Sequence, residues 1–193
     1  MSLCFFVSDL HGHLDRYDTL FLAIERERPA AVFLGGDLLP HALARHAAGR
    51  FLERTIGTKL RGLHDRMGAA YPRVFVILGN DDPRVEEESV LALERQGLWE
   101  YVHQRRASLL EWTVYGYACV PPTPFLLKDW EVYDVSRHVD PGSVSPEEGR
   151  RSVPVPAHEI RHRTIAGDLD ALVPPGDLER AIILFHAPPY QTA

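Results

Sequence analysis

Polar side chains that could bind a cation follow the first apolar run of the chain. Residues 4–7 read Cys-Phe-Phe-Val, a pattern typical of a strand buried on both faces. Asp9 and His11 come directly after this strand, and residues two apart on an extended chain point the same way. A carboxylate and an imidazole could therefore converge on one cation. The alternative is a polar loop in which Asp9 caps the helix that follows.

The same arrangement recurs later in the chain. Three more short apolar runs each end in glycine or a polar residue: 31–34, 74–78 and 182–185. They lead into Asp37, Asn80 and His186, respectively. In open α/β sheets, ligands gather at the carboxyl ends of the strands. Helix capping alone does not explain four such runs, so the pattern favours a metal centre at one sheet edge.

These motifs, taken in order, resemble those of the calcineurin-like metallophosphoesterases. The matching segments are Asp9-x-His11, Gly36-Asp37, Gly79-Asn80 and the late His186. The resemblance covers residues 8–186. It implies an α/β fold, a four-layer α/β/β/α sandwich with two mixed β-sheets, as a single domain over residues 1–193.

The resemblance also implies a cofactor and a reaction. Two divalent metal ions (Mn, Fe, Zn or Co) would be bound, with Asp37 as the bridging ligand. Asp9 and His11 would complete one metal position, and Asn80 and His186 the other. A water activated between the two metals would then hydrolyse a phosphodiester or a small phosphorylated metabolite. The expected partner is therefore a small-molecule phosphate ester.

The first departure from the family pattern lies directly after Asn80. Many members have histidine there, where it protonates the leaving alcohol or positions the phosphate, whereas this chain has Asp81. We expect Asp81 to be the catalytic residue at this place, with a weaker acid step or a substrate with a good leaving group. Asp82 is expected to orient a neighbouring ligand. Arg84 is a candidate for substrate binding, and its alternative is an ion pair with Asp82 or Glu88.

The second departure is the absence of the family's final Gly-His-x-His motif, which gives one imidazole to each metal. The sequence ends at Ala193, so we expect that the chain is truncated or that each metal lacks a ligand. His158 and His162 are four apart on a predicted helix and could bind metal as a pair, although an exposed polar helix face explains them equally well. The missing motif also favours an alternative function, a catalytically impaired binding scaffold such as the retromer subunit with this fold.

Composition narrows the class of protein. The chain has 193 residues, of which 45% are hydrophobic, and a formal net charge of −6. This acidic balance argues against a broad nucleic-acid-binding face. Cys4 and Cys119 are expected to be small buried hydrophobes in a reducing cytoplasm. No membrane-spanning segment or signal peptide is expected, a homodimer is possible, and no glycine-rich phosphate loop supports a nucleotide-binding alternative.

Helices and strands must position these residues. The spacing of apolar residues predicts helices over 14–28, 41–70, 86–96 and 156–173. Residues 109–120 predict two antiparallel strands around a turn or bulge. The irregular stretch 121–151 is expected to line the substrate cleft. Lys128, Arg137 and His138 in it are candidate phosphate contacts, and the alternative is that they are solvated loop charges. His41 is expected on an exposed helix face. Because it lies only four residues after Asp37, the alternative is that it contacts the active site.

Overall fold

The computed structural model describes residues 2–41, 51–176 and 178–187, which form seven strands in two sheets. The strands are β1 (Cys4–Val7), β2 (Ala31–Gly35), β3 (Arg73–Ile77), β4 (Glu100–Tyr101), β5 (Arg105–Leu109), β6 (Trp112–Tyr117) and β7 (Ala181–Phe185). The first sheet has the order β1-β2-β3-β4 and the second β5-β6-β7. The predicted α/β fold with two sheets is thus confirmed.

The two sheets differ in strand direction. All neighbouring pairs of the first sheet are parallel, because each connection crosses back over the sheet before the next strand begins. This sheet is therefore parallel in its described strands rather than mixed. In the second sheet β5 and β6 form an antiparallel hairpin, while β7 joins β6 in parallel. The predicted antiparallel pair exists, but its first strand begins at Arg105, before the apolar stretch.

The helices between the strands match the predicted positions in part. They are α1 (Leu14–Glu27), α2 (Gly57–Met67), α3 (Glu87–Glu94), α4 (Ala157–His162) and α5 (Ile165–Leu172). A π-helical turn (Phe51–Ile56) precedes α2, and the predicted helical residues 42–50 lie outside the described residues. None of the described helices has the length and apolar character needed to cross a membrane.

The helix predicted over 156–173 is in fact two helices. Arg163 has an extended backbone, and the Thr164 side chain accepts a hydrogen bond from the Gly167 N–H at the start of α5. A threonine at this position competes for the backbone and favours a new helix start. The apolar spacing did not reveal this break, because both halves keep helical periodicity.

The apolar sequence of β1 predicted a strand buried on both faces, and this is wrong. Cys4 is exposed, and 63% of Phe6 is accessible. The reason is position, because β1 lies at the edge of the first sheet next to β2 alone. Strand β2, by contrast, is buried at every residue.

The strands that precede Asp37, Asn80 and His186 lie close together. Strands β2 and β3 are neighbours in the first sheet, and β2 contacts β7 of the second sheet. Their carboxyl ends therefore meet at one edge of the molecule. This is the arrangement that brings residues distant in sequence into one site.

A buried ion pair holds one part of the irregular segment after β6 inside the protein. Lys128 is fully buried and pairs with Glu131, whose carboxylate also accepts a hydrogen bond from the Thr123 N–H at 2.8 Å. The sequence predicted Lys128 as a candidate phosphate contact, and this prediction is wrong. Its ammonium group is satisfied inside the protein, where a buried charge requires a partner.

His103 is a buried histidine that makes stability depend on pH. Its Nδ1 accepts a hydrogen bond from the Ala118 N–H at 3.0 Å, which requires a neutral ring. Burial, followed by the charges of Arg163 and other arginines, lowers the pKa of His103 to about 3. In the unfolded chain the pKa returns to about 6.5, so between these values the unfolded state binds more protons. Stability is therefore fully present above pH 6.5 and falls as the pH drops toward 3.

We expect protonation of His103 in the unfolded chain to lower the free energy of unfolding by about 2–3 kcal/mol as the pH falls from 6.5 to 4.5. The slope is roughly 1.4 kcal/mol per pH unit. The variant His103→Asn keeps an acceptor near the Ala118 N–H but cannot titrate. Urea unfolding at both pH values should show a smaller pH-dependent loss in the variant than in the wild type. Equal losses in both proteins would contradict the assignment.

Candidate metal centre

The loops after β1 and β2 are joined by backbone hydrogen bonds. The Asp9 N–H donates to the Gly36 carbonyl at 3.0 Å, and the His11 N–H donates to the Asp37 carbonyl at 2.8 Å. Asp9, His11 and Asp37 all have left-handed backbones, with φ of 57°, 46° and 54°. This conformation costs an L-residue on the order of 1–2 kcal/mol, and such strain clusters at functional sites.

Two glycines permit the close approach of the strand ends. Gly36 has φ of 99°, and a Cβ there would lie 2.7 Å from Nδ1 of His186. A Cβ on Gly79 would collide with the Asp37 carboxylate. Neither position has room for a side chain, which explains why glycine precedes both Asp37 and Asn80.

One group of candidate ligands contains Asp9, His11 and Asp37. Nε2 of His11 lies 3.8 Å from Oδ1 of Asp9 and 3.9 Å from Oδ2 of Asp37. One ligand atom from each of the three residues lies within 4.8 Å of the others. Two carboxylates and an imidazole from two adjacent loops therefore surround a common point.

Asp37 reaches a second group of ligands with its other oxygen. Oδ1 of Asp37 lies 3.5 Å from Nε2 of His186, and that nitrogen lies 3.0 Å from Oδ1 of Asn80. Nδ1 of His186 is 2.8 Å from the Gly35 carbonyl, an oxygen that can only accept a hydrogen bond. This bond places a proton on Nδ1 and directs Nε2 at the site, the arrangement usual for a ligating histidine.

The protonation of Asp37 and His186 is coupled. Burial raises the pKa of Asp37, but His186, the Asp81 N–H and His11 together outweigh burial and hold the pKa below its ordinary value. Burial lowers the pKa of His186, but Asp37, the Gly35 carbonyl and Asp82 together outweigh burial and hold the pKa above its ordinary value. Both shifts favour a positive charge at Nε2 of His186, so a bound cation would replace a proton there.

Asp82 connects the loops that bear the ligands. Its fully buried carboxylate accepts hydrogen bonds from the N–H groups of Leu38, Leu39 and Gly79 at 3.1, 2.8 and 2.9 Å. Burial, followed by the charge of Asp37, raises the pKa of Asp82 to about 6 against these donors. Asp82 thus fixes the chain after Asp37 to the chain before Asn80. The sequence suggested an orienting role but not these partners.

Asp81 lies at the mouth of the site with an unexpected neighbour. Its N–H donates to Oδ1 of Asp37 at 3.0 Å, and its carboxylate lies 3.2 Å from Nδ1 of His41. His41 also stacks on His11, with ring centroids 4.5 Å apart. The sequence placed His41 on an exposed helix face. Its short separation from Asp37 was the one signal of its position here.

Arg84 does not join the ligand cluster. Its guanidinium lies over the Trp130 ring at 5.6 Å and 3.4 Å from the Glu87 carboxylate, and its N–H donates to Asp129. The plainer sequence alternative, an ion pair, is the one observed, although with Glu87 rather than Asp82 or Glu88. A substrate contact by Arg84 stays a prediction.

The donor atoms fit divalent cations. Carboxylate and amide oxygens together with imidazole nitrogens suit Mn²⁺, Zn²⁺ or Fe. Donor atoms about 3 Å apart could be held by one cation, because metal–ligand distances are about 2.1 Å. Nε2 of His186 and Oδ1 of Asn80 have this separation. The site is therefore that of a metal-dependent α/β protein, with candidate ligands from four strand ends.

Comparison with known families agrees with this class. The model of the calcineurin-like phosphoesterase family matches residues 4–192. The chain belongs to the calcineurin-like phosphoesterase family. Members of this family are generally metal-dependent phosphoesterases. No curated protein matches the sequence.

Solved structures resemble the chain only distantly. The protein TT1561 of Thermus thermophilus shares 16% identity at a TM-score of 0.48, covering 63% of this chain and 52% of that one. Another crystal structure shares 16% identity at a TM-score of 0.40, covering 58% and 51%. The chain thus spans about half the length of these two structures.

Proposed function

We propose that the chain hydrolyses a phosphodiester or a small phosphorylated metabolite, using two divalent cations held by Asp9, His11, Asp37, Asn80 and His186. The observation that supports this most strongly is the placement of Asp37. Its two carboxylate oxygens face His11 on one side and His186 on the other. A carboxylate between two imidazoles is suited to bridge a pair of cations.

The protein residues have distinct parts in this proposal. When bound, the cations would supply positive charge for the phosphoryl oxygens and an activated water. Asp37 and the Gly35 carbonyl orient His186, while the hydrogen-bonded loops hold Asp9 and His11 in their left-handed conformations. Fixed ligands need little reorganisation during the reaction, which lowers its barrier.

Asp81 determines the type of leaving group in this proposal. Its carboxylate is near His11 and His41 at the mouth of the site, where a substrate ester would approach the proposed ligands. A carboxylate among cations is a poor proton donor. The preferred substrates are therefore esters whose leaving group departs without protonation, such as an aryl or acyl phosphate.

Metal analysis together with a hydrolysis assay tests the proposal. The protein is stripped with a chelator, reloaded with Mn²⁺ and assayed on bis-p-nitrophenyl phosphate. We expect turnover that requires added metal. The rate should be lower with a diester that has an alkyl leaving group. Protein that binds no divalent metal and shows no turnover at any concentration would refute the proposal and favour a binding scaffold.

A further inference from the structure

A second group of ligand atoms lies on the opposite side of the His11 ring. Nδ1 of His11 is 3.9 Å from Oδ2 of Asp81, and the same oxygen is 3.2 Å from Nδ1 of His41. One ligand atom from each of these three residues lies within 4.8 Å of the others. This group shares only His11 with the Asp9, His11 and Asp37 group.

The backbone holds the three residues in place. The Leu38 carbonyl accepts a hydrogen bond from the Gly12 N–H at 2.9 Å, and Pro40 packs so closely on Gly12 that a Cβ there would collide with it. Asp82 binds the N–H groups of Leu38 and Leu39. The chain is thus fixed up to the residue before His41.

Nδ1 of His11 indicates what this group binds. The atom is buried and has no hydrogen-bond partner among the described residues. A buried polar atom without a partner is rare and calls for an unseen water or ion. Its nearest charged neighbour is the Asp81 carboxylate, beyond hydrogen-bonding distance. A cation between the two would satisfy both.

We propose that His11 Nδ1, His41 and Asp81 form an additional divalent cation position. Two imidazoles and one carboxylate form a three-ligand set typical of Zn²⁺ with an open fourth place. The oxygen-richer Asp9, His11 and Asp37 set suits Mn²⁺ better. The inference extends the proposed function, because His11 belongs to both positions. A neutral imidazole binds metal through one nitrogen, so the two positions alternate unless His11 loses both protons.

The additional cation position is tested by Zn²⁺ binding to a protein whose Asp9, His11 and Asp37 group has lost its two carboxylates. The double variant Asp9→Asn/Asp37→Asn removes both carboxylates of the first group, while the amide of Asn at 37 keeps an acceptor for the Asp81 N–H. Calorimetric titration of the metal-free variant with Zn²⁺ should show binding. Adding His41→Ala should weaken that binding about tenfold or more, and Asp81→Asn should do the same.

His64→Ala is the matched control, because His64 is also a half-exposed histidine beside a carboxylate, that of Asp65. It should leave Zn²⁺ binding unchanged. The inference is overturned if the double variant binds no Zn²⁺, or if His41→Ala and His64→Ala behave alike. Thermal unfolding confirms that each variant is folded. The assay needs no hydrolysis, so its failure is distinct from a failure of the proposed function, which is judged by Mn²⁺-dependent turnover of the wild type.

Discussion

Replacing Asp37 with asparagine should weaken Mn²⁺ binding and strongly reduce hydrolysis. The Asp37 oxygens face His11 at 3.9 Å and His186 at 3.5 Å, so one substitution affects both proposed cation positions. A metal ion contributes several kcal/mol of transition-state stabilisation, and 1.36 kcal/mol corresponds to tenfold in rate. We therefore expect kcat/KM for bis-p-nitrophenyl phosphate to fall at least about 100-fold, with Mn²⁺ affinity about tenfold weaker or worse.

Asp65→Asn makes the same chemical change at an exposed site. Asp65 lies on α2 with 82% of its side chain accessible, and its variant should retain wild-type metal content and turnover. Equilibrium dialysis with Mn²⁺ and the hydrolysis assay give the two readouts. An Asp37→Asn protein with wild-type Mn²⁺ content would exclude Asp37 as the bridging ligand.

Replacing Asp82 with alanine should produce the largest loss of stability among these variants, about 4–6 kcal/mol. Three buried N–H groups, those of Leu38, Leu39 and Gly79, would lose their acceptor. Each unsatisfied buried donor costs about 1–3 kcal/mol. The loss should appear in urea unfolding at pH 7.5, above the raised pKa of about 6, where the carboxylate is ionised. Mn²⁺ affinity should fall as well, because the loops bearing Asp37 and Asn80 lose their connection.

Asp82→Asn separates the hydrogen bonds from the charge. The amide keeps one acceptor oxygen but turns a donor toward the remaining N–H groups, so an intermediate loss of stability is expected. Asp140→Asn, at an exposed aspartate, should change stability by less than about 0.5 kcal/mol. A wild-type unfolding midpoint for Asp82→Ala would show that the three N–H groups find other partners.

Much of the fold was predictable because local pattern determines it. The apolar runs before Asp37, Asn80 and His186 are strands β2, β3 and β7, and the helix predicted from Leu14 ends at Glu27. The exposure of β1 was not predictable, since Phe6 is apolar in sequence whether its strand is central or at an edge. The break before Thr164 was also missed, because apolar spacing continues through it.

The candidate site also has a part that the sequence predicts and a part that it does not. Asp9, His11, Asp37 and Asn80 follow strands that pair in parallel in the first sheet, so their ends meet at one edge. His186 follows β7 of the second sheet, and its place beside them depends on how the two sheets pack. His41 does not follow a strand end. Its place beside Asp81 depends on the course of residues 38–40, which the Asp82 carboxylate and the Gly12 N–H determine.

The sequence by itself determined the types of ligand and their order along the chain, because both depend on residues adjacent to each strand. The tertiary structure decided which atoms face each other. It set the two oxygens of Asp37 against different imidazoles, buried Asp82 among three N–H groups, and placed His41 over His11. These relations join residues up to 149 positions apart, as between Asp37 and His186, and no local preference of the chain specifies them.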